Sequence, residues 1–143
     1  MKKSIVCVLS LLACLSVSTA KASDVFKPGH QYTCNPGDSV MFGKFTLDIL
    51  GNVPVASDID EPIKNARTNI YLSLDKKIKA FDTTCFTNPA NANNLGCIAL
   101  DGEGSKVFPF LFISLESKIG KAVITQDPGG DGEVYTYRCT QTK

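Results

Sequence analysis

Val107-Phe108-Pro109-Phe110-Leu111-Phe112-Ile113-Ser114-Leu115 is the most apolar run of the chain outside its N-terminal segment. As a strand it would place three phenylalanines on one side and Leu111, Ile113 and Leu115 on the other, because successive side chains point to opposite faces. A strand that is apolar on both faces needs cover on both. A helix fits less well, since Pro109 and closely spaced aromatic residues favour an extended chain. The run therefore predicts a buried β-strand.

On both sides of this run, short segments with strand patterning alternate with turn signals. Residues 45–49 and 68–74 alternate apolar and polar side chains, which is typical of half-buried strands. Residues 23–29 are interpreted as a flexible lead-in, and the polar segments 58–67 and 87–96 as loops. The pattern as a whole predicts an all-β fold, an antiparallel sandwich or small barrel of about seven to nine short strands.

Residues 1–22 have the layout of a secretory signal peptide. Two lysines near the start precede a mostly apolar segment at residues 4–17, and small residues lead to Ala22, after which we expect cleavage. The alternative is a bacterial lipoprotein, which would be cut and acylated at Cys14. Residues 23–143 are then expected to form a single domain, with no second candidate membrane span.

The charge of the chain bears on the class of its partner. Cleavage after Ala22 removes three of the 15 basic residues and none of the 14 acidic ones, which leaves a net charge of about −2. Nucleic acids and anionic membranes are bound by a basic field that displaces counterions. We therefore expect neither a nucleic acid nor a membrane surface as the partner.

Four cysteines remain after this cleavage, and an even number in an exported chain predicts two disulfides with three possible pairings. We expect Cys34–Cys139, because both residues lie in Tyr-x-Cys contexts near the two ends of the mature chain. We expect Cys85–Cys97, because these residues flank a polar segment that a local bridge would close. A metal site of the zinc type is disfavoured, since the chain has no Cys-x-x-Cys motif and one histidine.

Catalytic motifs are weakly represented. A Ser-His-Asp set would need His30, which lies near the mature N-terminus, and no Gly-x-Ser-x-Gly elbow occurs. Most acidic residues that could form a carboxylate pair for glycoside cleavage lie in turns. We therefore predict no catalytic residue, no cofactor and no enzyme activity, and keep a small hydrolase as an alternative.

Residues 127–133 contain oxygen ligands of the kind that calcium prefers, namely Asp127, Asp131 and Glu133. The same segment holds Pro-Gly-Gly and Asp-Gly, which a hairpin connection needs. A turn is the preferred interpretation, and calcium is the alternative.

The long polar segments are the best candidates for a binding surface, because loops carried by a rigid scaffold often bind partners. Tyrosines beside a disulfide on the last strand would add to such a surface, and aromatic packing across strands is the alternative. The candidate binding residues are Asp58, Asp60, Glu61, Arg67, Asn88, Asn91, Asn93, Tyr135 and Tyr137.

In outline, the signal peptide, the early Tyr-x-Cys, the all-β middle and the late cysteine resemble the small periplasmic lysozyme inhibitors of Gram-negative bacteria. The resemblance transfers no residue role, because the Ser-Gly-rich, tyrosine-containing inhibitory loop of that family is not present. We expect a periplasmic or secreted, disulfide-bonded binding protein that acts, as an inhibitor would, on a protein or on a component of the cell envelope. The alternative is a structural or assembly component of the envelope, lipid-anchored at Cys14.

Overall fold

The computed structural model describes residues 22–38, 42–55, 63–72, 78–99, 111–126 and 132–143. Within them lie eight antiparallel strands: β1 (Gln31–Pro36), β2 (Phe45–Ile49), β3 (Ala66–Tyr71), β4 (Ile78–Asn88), β5 (Asn91–Ala99), β6 (Leu111–Glu116), β7 (Lys121–Gln126) and β8 (Val134–Gln141). Each strand pairs with its neighbours in sequence, and β8 also pairs with β1, so that the sheet closes into a barrel. The predicted all-β fold is confirmed, and of its two forms the barrel is the one observed.

Side chains alternate between the inside and the outside of the barrel along the strands. In β2, Phe45, Leu47 and Ile49 are buried, whereas Thr46 and Asp48 are half-buried on the outer side. The interior of an eight-stranded barrel is just wide enough for side chains to fill it. The inward faces of the strands therefore form one hydrophobic core, to which both disulfides belong.

The apolar run does form a strand over its described part. β6 points Leu111, Ile113 and Leu115 into the core and leaves Phe112 half-buried on the outer side. Neighbouring Gly96 of β5 makes room for that ring, because a Cβ built on Gly96 would lie 3.4 Å from Phe112 Cζ. Residues 100–110, which include the first half of the run, lie outside the described residues.

The predicted loop at residues 87–96 is wrong. β4 continues to Asn88 and β5 begins at Asn91, so the segment is a hairpin with Pro89 and Ala90 in its turn. Asparagine is a poor strand former, but whether a segment forms a strand depends strongly on its neighbours in the sheet. Here the backbone pairs on both sides of β5, with β4 and with β6.

The predicted flexible lead-in at residues 23–29 is also wrong. Phe26 is fully buried, and its ring centroid lies 5.6 Å from that of Tyr32. Ser23 fixes the segment, because its Oγ accepts a hydrogen bond from the Phe26 N–H at 3.1 Å and its own N–H donates to the Val53 carbonyl at 2.7 Å. Phe26 belongs to the core and half-buried Val25 packs against it, so the segment is part of the folded domain.

Both predicted disulfides are present, and each joins two residues that lie directly opposite each other on paired strands. Cys34–Cys139 joins β1 to β8 with a sequence separation of 105, and Cys85–Cys97 joins β4 to β5 with a separation of 12. The first disulfide therefore ties together the two strands whose pairing closes the barrel. Disulfides persist in oxidising compartments, which suggests an exported protein.

Loss of the Cys34–Cys139 disulfide should destabilise the protein more than loss of Cys85–Cys97. Replacing both cysteines of one pair by alanine changes the buried chemistry equally in the two variants, so the difference reflects the length of chain that each bridge closes. The chain-entropy account gives about 4 to 5 kcal/mol for the long loop and about 3 kcal/mol for the short one. Urea unfolding of the two oxidised variants measures the difference, and equal losses would contradict the expectation.

Candidate functional site

The described part of the barrel interior is occupied by core side chains. A cavity of about 160 Å³ lies beside the Cys34–Cys139 disulfide, lined in part by Val25, Tyr32 and Leu115. Pockets for small-molecule ligands usually measure about 300 to 1,000 Å³. This cavity is too small for such a ligand.

The two candidate tyrosines of β8 point into the barrel. Tyr137 is 1% exposed, its ring packs edge-on against Phe45 at a centroid distance of 4.8 Å, and its hydroxyl donates to the Phe42 carbonyl at 3.3 Å. Tyr135 is 7% exposed, and its hydroxyl donates a hydrogen bond to the Glu133 carboxylate. The described contacts are thus those of the alternative interpretation, aromatic packing inside the sheet.

Burial makes these tyrosines weaker acids. Desolvation is the main cause that raises the pKa of Tyr135 to about 12, and the hydrogen bond to Glu133 and its negative charge add to the effect. Desolvation likewise raises the pKa of Tyr137 far above its usual value, with a smaller contribution from Tyr135. Desolvation alone raises the pKa of Tyr32. All three hydroxyls therefore favour the neutral form that a core requires.

Arg67 lies on the outer side of β3 and is engaged in a surface ion pair. Its Nε and Nη2 atoms lie 3.3 and 3.2 Å from Asp82 Oδ1, and Lys64 Nζ lies 3.3 Å from Oδ2 of the same carboxylate. Hydrogen bonds from Lys64 and then from Arg67 lower the pKa of Asp82. Exposed pairs of this kind contribute little to stability.

The three candidate asparagines lie in the β4–β5 hairpin and form hydrogen bonds within it and to β6. Asn88 Oδ1 accepts from the Ala90 N–H at 2.8 Å, and Asn91 Oδ1 accepts from the Asn93 N–H at 3.1 Å. Asn91 Nδ2 also donates to Glu116 Oε2 at 2.9 Å. Asparagine often supports turns through such local side-chain to backbone hydrogen bonds.

Several other predicted positions lie outside the described residues, namely Asp58, Asp60, Glu61, Asp127 and Asp131. In the described parts of the chain, no group of three or more His, Cys, Asp or Glu side chains could hold a metal ion. His30 is half-buried, and its Nδ1 accepts a long hydrogen bond of 3.4 Å from the Lys27 N–H.

A concave groove of about 780 Å³ crosses the outer face where β7, β8 and β1 lie side by side. We call it the β8 groove. In the strand register, Arg138 of β8 lies directly opposite Lys121 of β7 on one side and Asn35 of β1 on the other. The polar, charged and exposed apolar residues that line the groove and are used below are Asn35, Asp38, Ile119, Lys121, Thr136 and Arg138.

The β8 groove carries two cationic side chains that form no ion pair among the described residues. Lys121 and Arg138 form a cross-strand pair of like charges, an arrangement that disfavours the sheet. Both ion pairs found among the described residues involve Asp82, on the opposite side of the barrel. Glu116 lies opposite Lys121 on β6, but it forms no ion pair in the described part of the chain.

A tight turn between β6 and β7 positions one end of the groove. Gly120 has a φ of +62°, which favours glycine, and a Cβ at this residue would lie 2.6 Å from the Cys139 carbonyl oxygen. The Cys139 N–H donates to the Gly120 carbonyl at 2.7 Å. This close approach holds the turn against β8 and places Ile119, which is 69% exposed, at the edge of the groove.

Sequence reasoning missed this groove. The outward position of Thr136 and Arg138 could be predicted from the sequence. It follows from strand alternation once Tyr135, Tyr137 and Cys139 are buried on the opposite face. What brings Lys121 opposite Arg138 is the register between β7 and β8. Local pattern alone does not specify that register.

Comparisons of the chain with protein-family models, with curated proteins and with solved structures find no match. In the part of the chain that the structure describes, no helix has the length and apolar character needed to cross a membrane.

The raised pKa of Tyr135 predicts a loss of stability in alkali. Between pH 10 and about 12 the tyrosine ionises in the unfolded chain but stays protonated in the folded one, so the free energy of unfolding falls as the pH rises. Tyr135→Phe removes this ionisable hydroxyl, so the free energy of unfolding of the variant should fall less steeply with pH than that of the wild type. Urea unfolding at a series of pH values from about 9 to 12 tests this. A variant whose stability falls as steeply as that of the wild type would contradict the assignment.

Proposed function

We propose that this chain is an exported, disulfide-bonded binding protein that contacts a protein or a component of the cell envelope through the β8 groove. The observation that carries the proposal is a cross-strand pair of cations, Lys121 and Arg138, which form no ion pair among the described residues and line a concave groove on a closed barrel. Like charges directly opposite each other destabilise a sheet. A partner that supplies negative charge would offset this repulsion.

The composition of the groove supports binding rather than chemistry. Its polar side chains are amide, hydroxyl and cationic groups, and Asp38 is the acidic residue among those that line it. Exposed Ile119 lines the same groove as Arg138 and provides an apolar contact there. Interfaces between proteins commonly combine an arginine or an apolar anchor with a polar rim.

The scaffold supports binding through its rigidity. Thr136 and Arg138 stand on a strand that is paired on both edges, and Cys139, the next residue along, is covalently joined to β1. A surface that is already ordered loses little conformational entropy when a partner binds. Export is supported by the two disulfides and by the signal peptide that the sequence predicts.

A large side chain in the β8 groove should weaken binding of the partner. Thr136 is exposed in the groove, and Ala80 is an exposed, outward-facing residue of β4, the strand opposite β8 in the barrel. We expect Thr136→Trp to weaken the complex at least about tenfold, and Ala80→Trp to leave the affinity unchanged. The tagged protein is cross-linked in its native envelope, the partner is identified by mass spectrometry, and the purified pair is then titrated by calorimetry.

Thermal unfolding of both tryptophan variants serves as the control for folding. If both variants bind the purified partner as tightly as the wild type, the β8 groove is not the binding surface. If neither the wild type nor the variants form a stoichiometric complex with any recovered component, the protein does not act by binding.

A further inference from the structure

We infer that the β8 groove receives an acidic polypeptide segment, whose carboxylates pair with Lys121 and Arg138 and whose neighbouring apolar side chain packs on Ile119. This inference rests on the proposed function and specifies the chemistry of the partner. It depends on the placement of three charged residues and one apolar residue along the groove.

The two cations are close enough to share one acidic group. Side chains directly opposite each other on antiparallel strands have Cβ atoms about 5 Å apart. Lys121 and Arg138 occupy such a pair of positions. One carboxylate, or two on adjacent residues of a partner, therefore contacts both, and the planar guanidinium of Arg138 offers two parallel donors to a carboxylate.

The two ends of the groove carry opposite charges, so a bound segment would have one preferred direction. Ile119, Lys121 and Arg138 lie at the end where the β6–β7 turn meets β8, and Thr136 is two residues further along β8. Two residues of a strand span roughly 7 Å. The Thr136 carbonyl accepts a hydrogen bond from the Gly37 N–H, so exposed Asp38, the next residue, lies beyond Thr136 in the groove. Its carboxylate would repel a second acidic group of the partner. The partner segment should thus be acidic at one end and neutral or basic at the other.

The charge of the whole chain favours a polypeptide over other anionic partners. A nucleic acid or an anionic membrane presents many phosphates and requires a broad basic field. Here the predicted mature chain has a net charge of about −2, and the cations among the described residues that line the groove are Lys121 and Arg138. A concave groove with one exposed isoleucine suits a short segment with few carboxylates and one apolar residue.

The test uses two fluorescein-labelled peptides, Gly-Leu-Glu-Glu-Gly-Thr-Lys and its matched form with both glutamates replaced by glutamine. Anisotropy titration of the wild type should show at least about a tenfold preference for the glutamate peptide at about 50 mM NaCl, which shrinks at about 300 mM NaCl. Lys121→Gln combined with Arg138→Gln should abolish the preference. Lys27→Gln combined with Lys44→Gln, which changes the net charge equally at exposed sites outside the groove, should retain it.

Two further outcomes would overturn the inference. One is equal binding of both peptides by the wild type. The other is tighter binding of vesicles with about 30% phosphatidylglycerol than of the glutamate peptide, lost on removal of the same two cations, which would assign the groove to a membrane surface.

The purified native partner separates this inference from the proposed function. If Thr136→Trp abolishes that complex while Lys121→Gln with Arg138→Gln leaves its affinity unchanged, the groove binds the partner without reading acidic groups, so the inference fails and the proposed function stands. If Thr136→Trp has no effect, the proposed function fails as well.

Discussion

The structure depends on one pairing, that of β1 with β8. These strands lie at opposite ends of the described sequence, and Cys34–Cys139 links them covalently at a directly opposed pair of positions. Without this pairing the sheet would have two free edges, which tend to pair with other chains. With it, every described strand has a neighbour on both sides, and the inward face becomes a closed core.

Closure also creates the surface that we assign to binding. The β8 groove crosses β7, β8 and β1, so it exists only where the last strand meets the first. β8 serves the core with Tyr135, Tyr137 and Cys139, and the outer surface with Thr136 and Arg138. The same alternation thus supplies core packing on one face and the proposed binding surface on the other. The disulfide holds β1 beside β8 at this groove, and the register between β7 and β8 places Lys121 opposite Arg138.

Much of the fold was predictable from the sequence, because it is encoded in local pattern. Phe45, Leu47 and Ile49 alternate with polar residues and do form a half-buried strand. The cysteine contexts and spacings predicted both disulfides, which the structure contains. These features depend on neighbouring residues or on a small number of possible pairings.

The remaining features depend on contacts between distant parts of the chain. Residues 87–96 look like a loop because asparagine favours turns, yet pairing with β6 makes part of them a strand. Phe26 is buried because hydrogen bonds of Ser23, one of them to Val53, hold its segment in place. The contact between Ser23 and Val53 cannot be predicted from local sequence pattern. The β8 groove requires the registers of three strands at once.

Site-specific photo-cross-linking in the native envelope tests the central claim, that the outer face of β8 binds a partner, most directly. A photoreactive phenylalanine analogue is placed at Thr136 in one variant and at Ala80, on the opposite strand of the barrel, in the other. Our account predicts one discrete cross-linked species from position 136 and none from position 80. Adducts of equal yield from both positions, or a discrete adduct from position 80 alone, would contradict it.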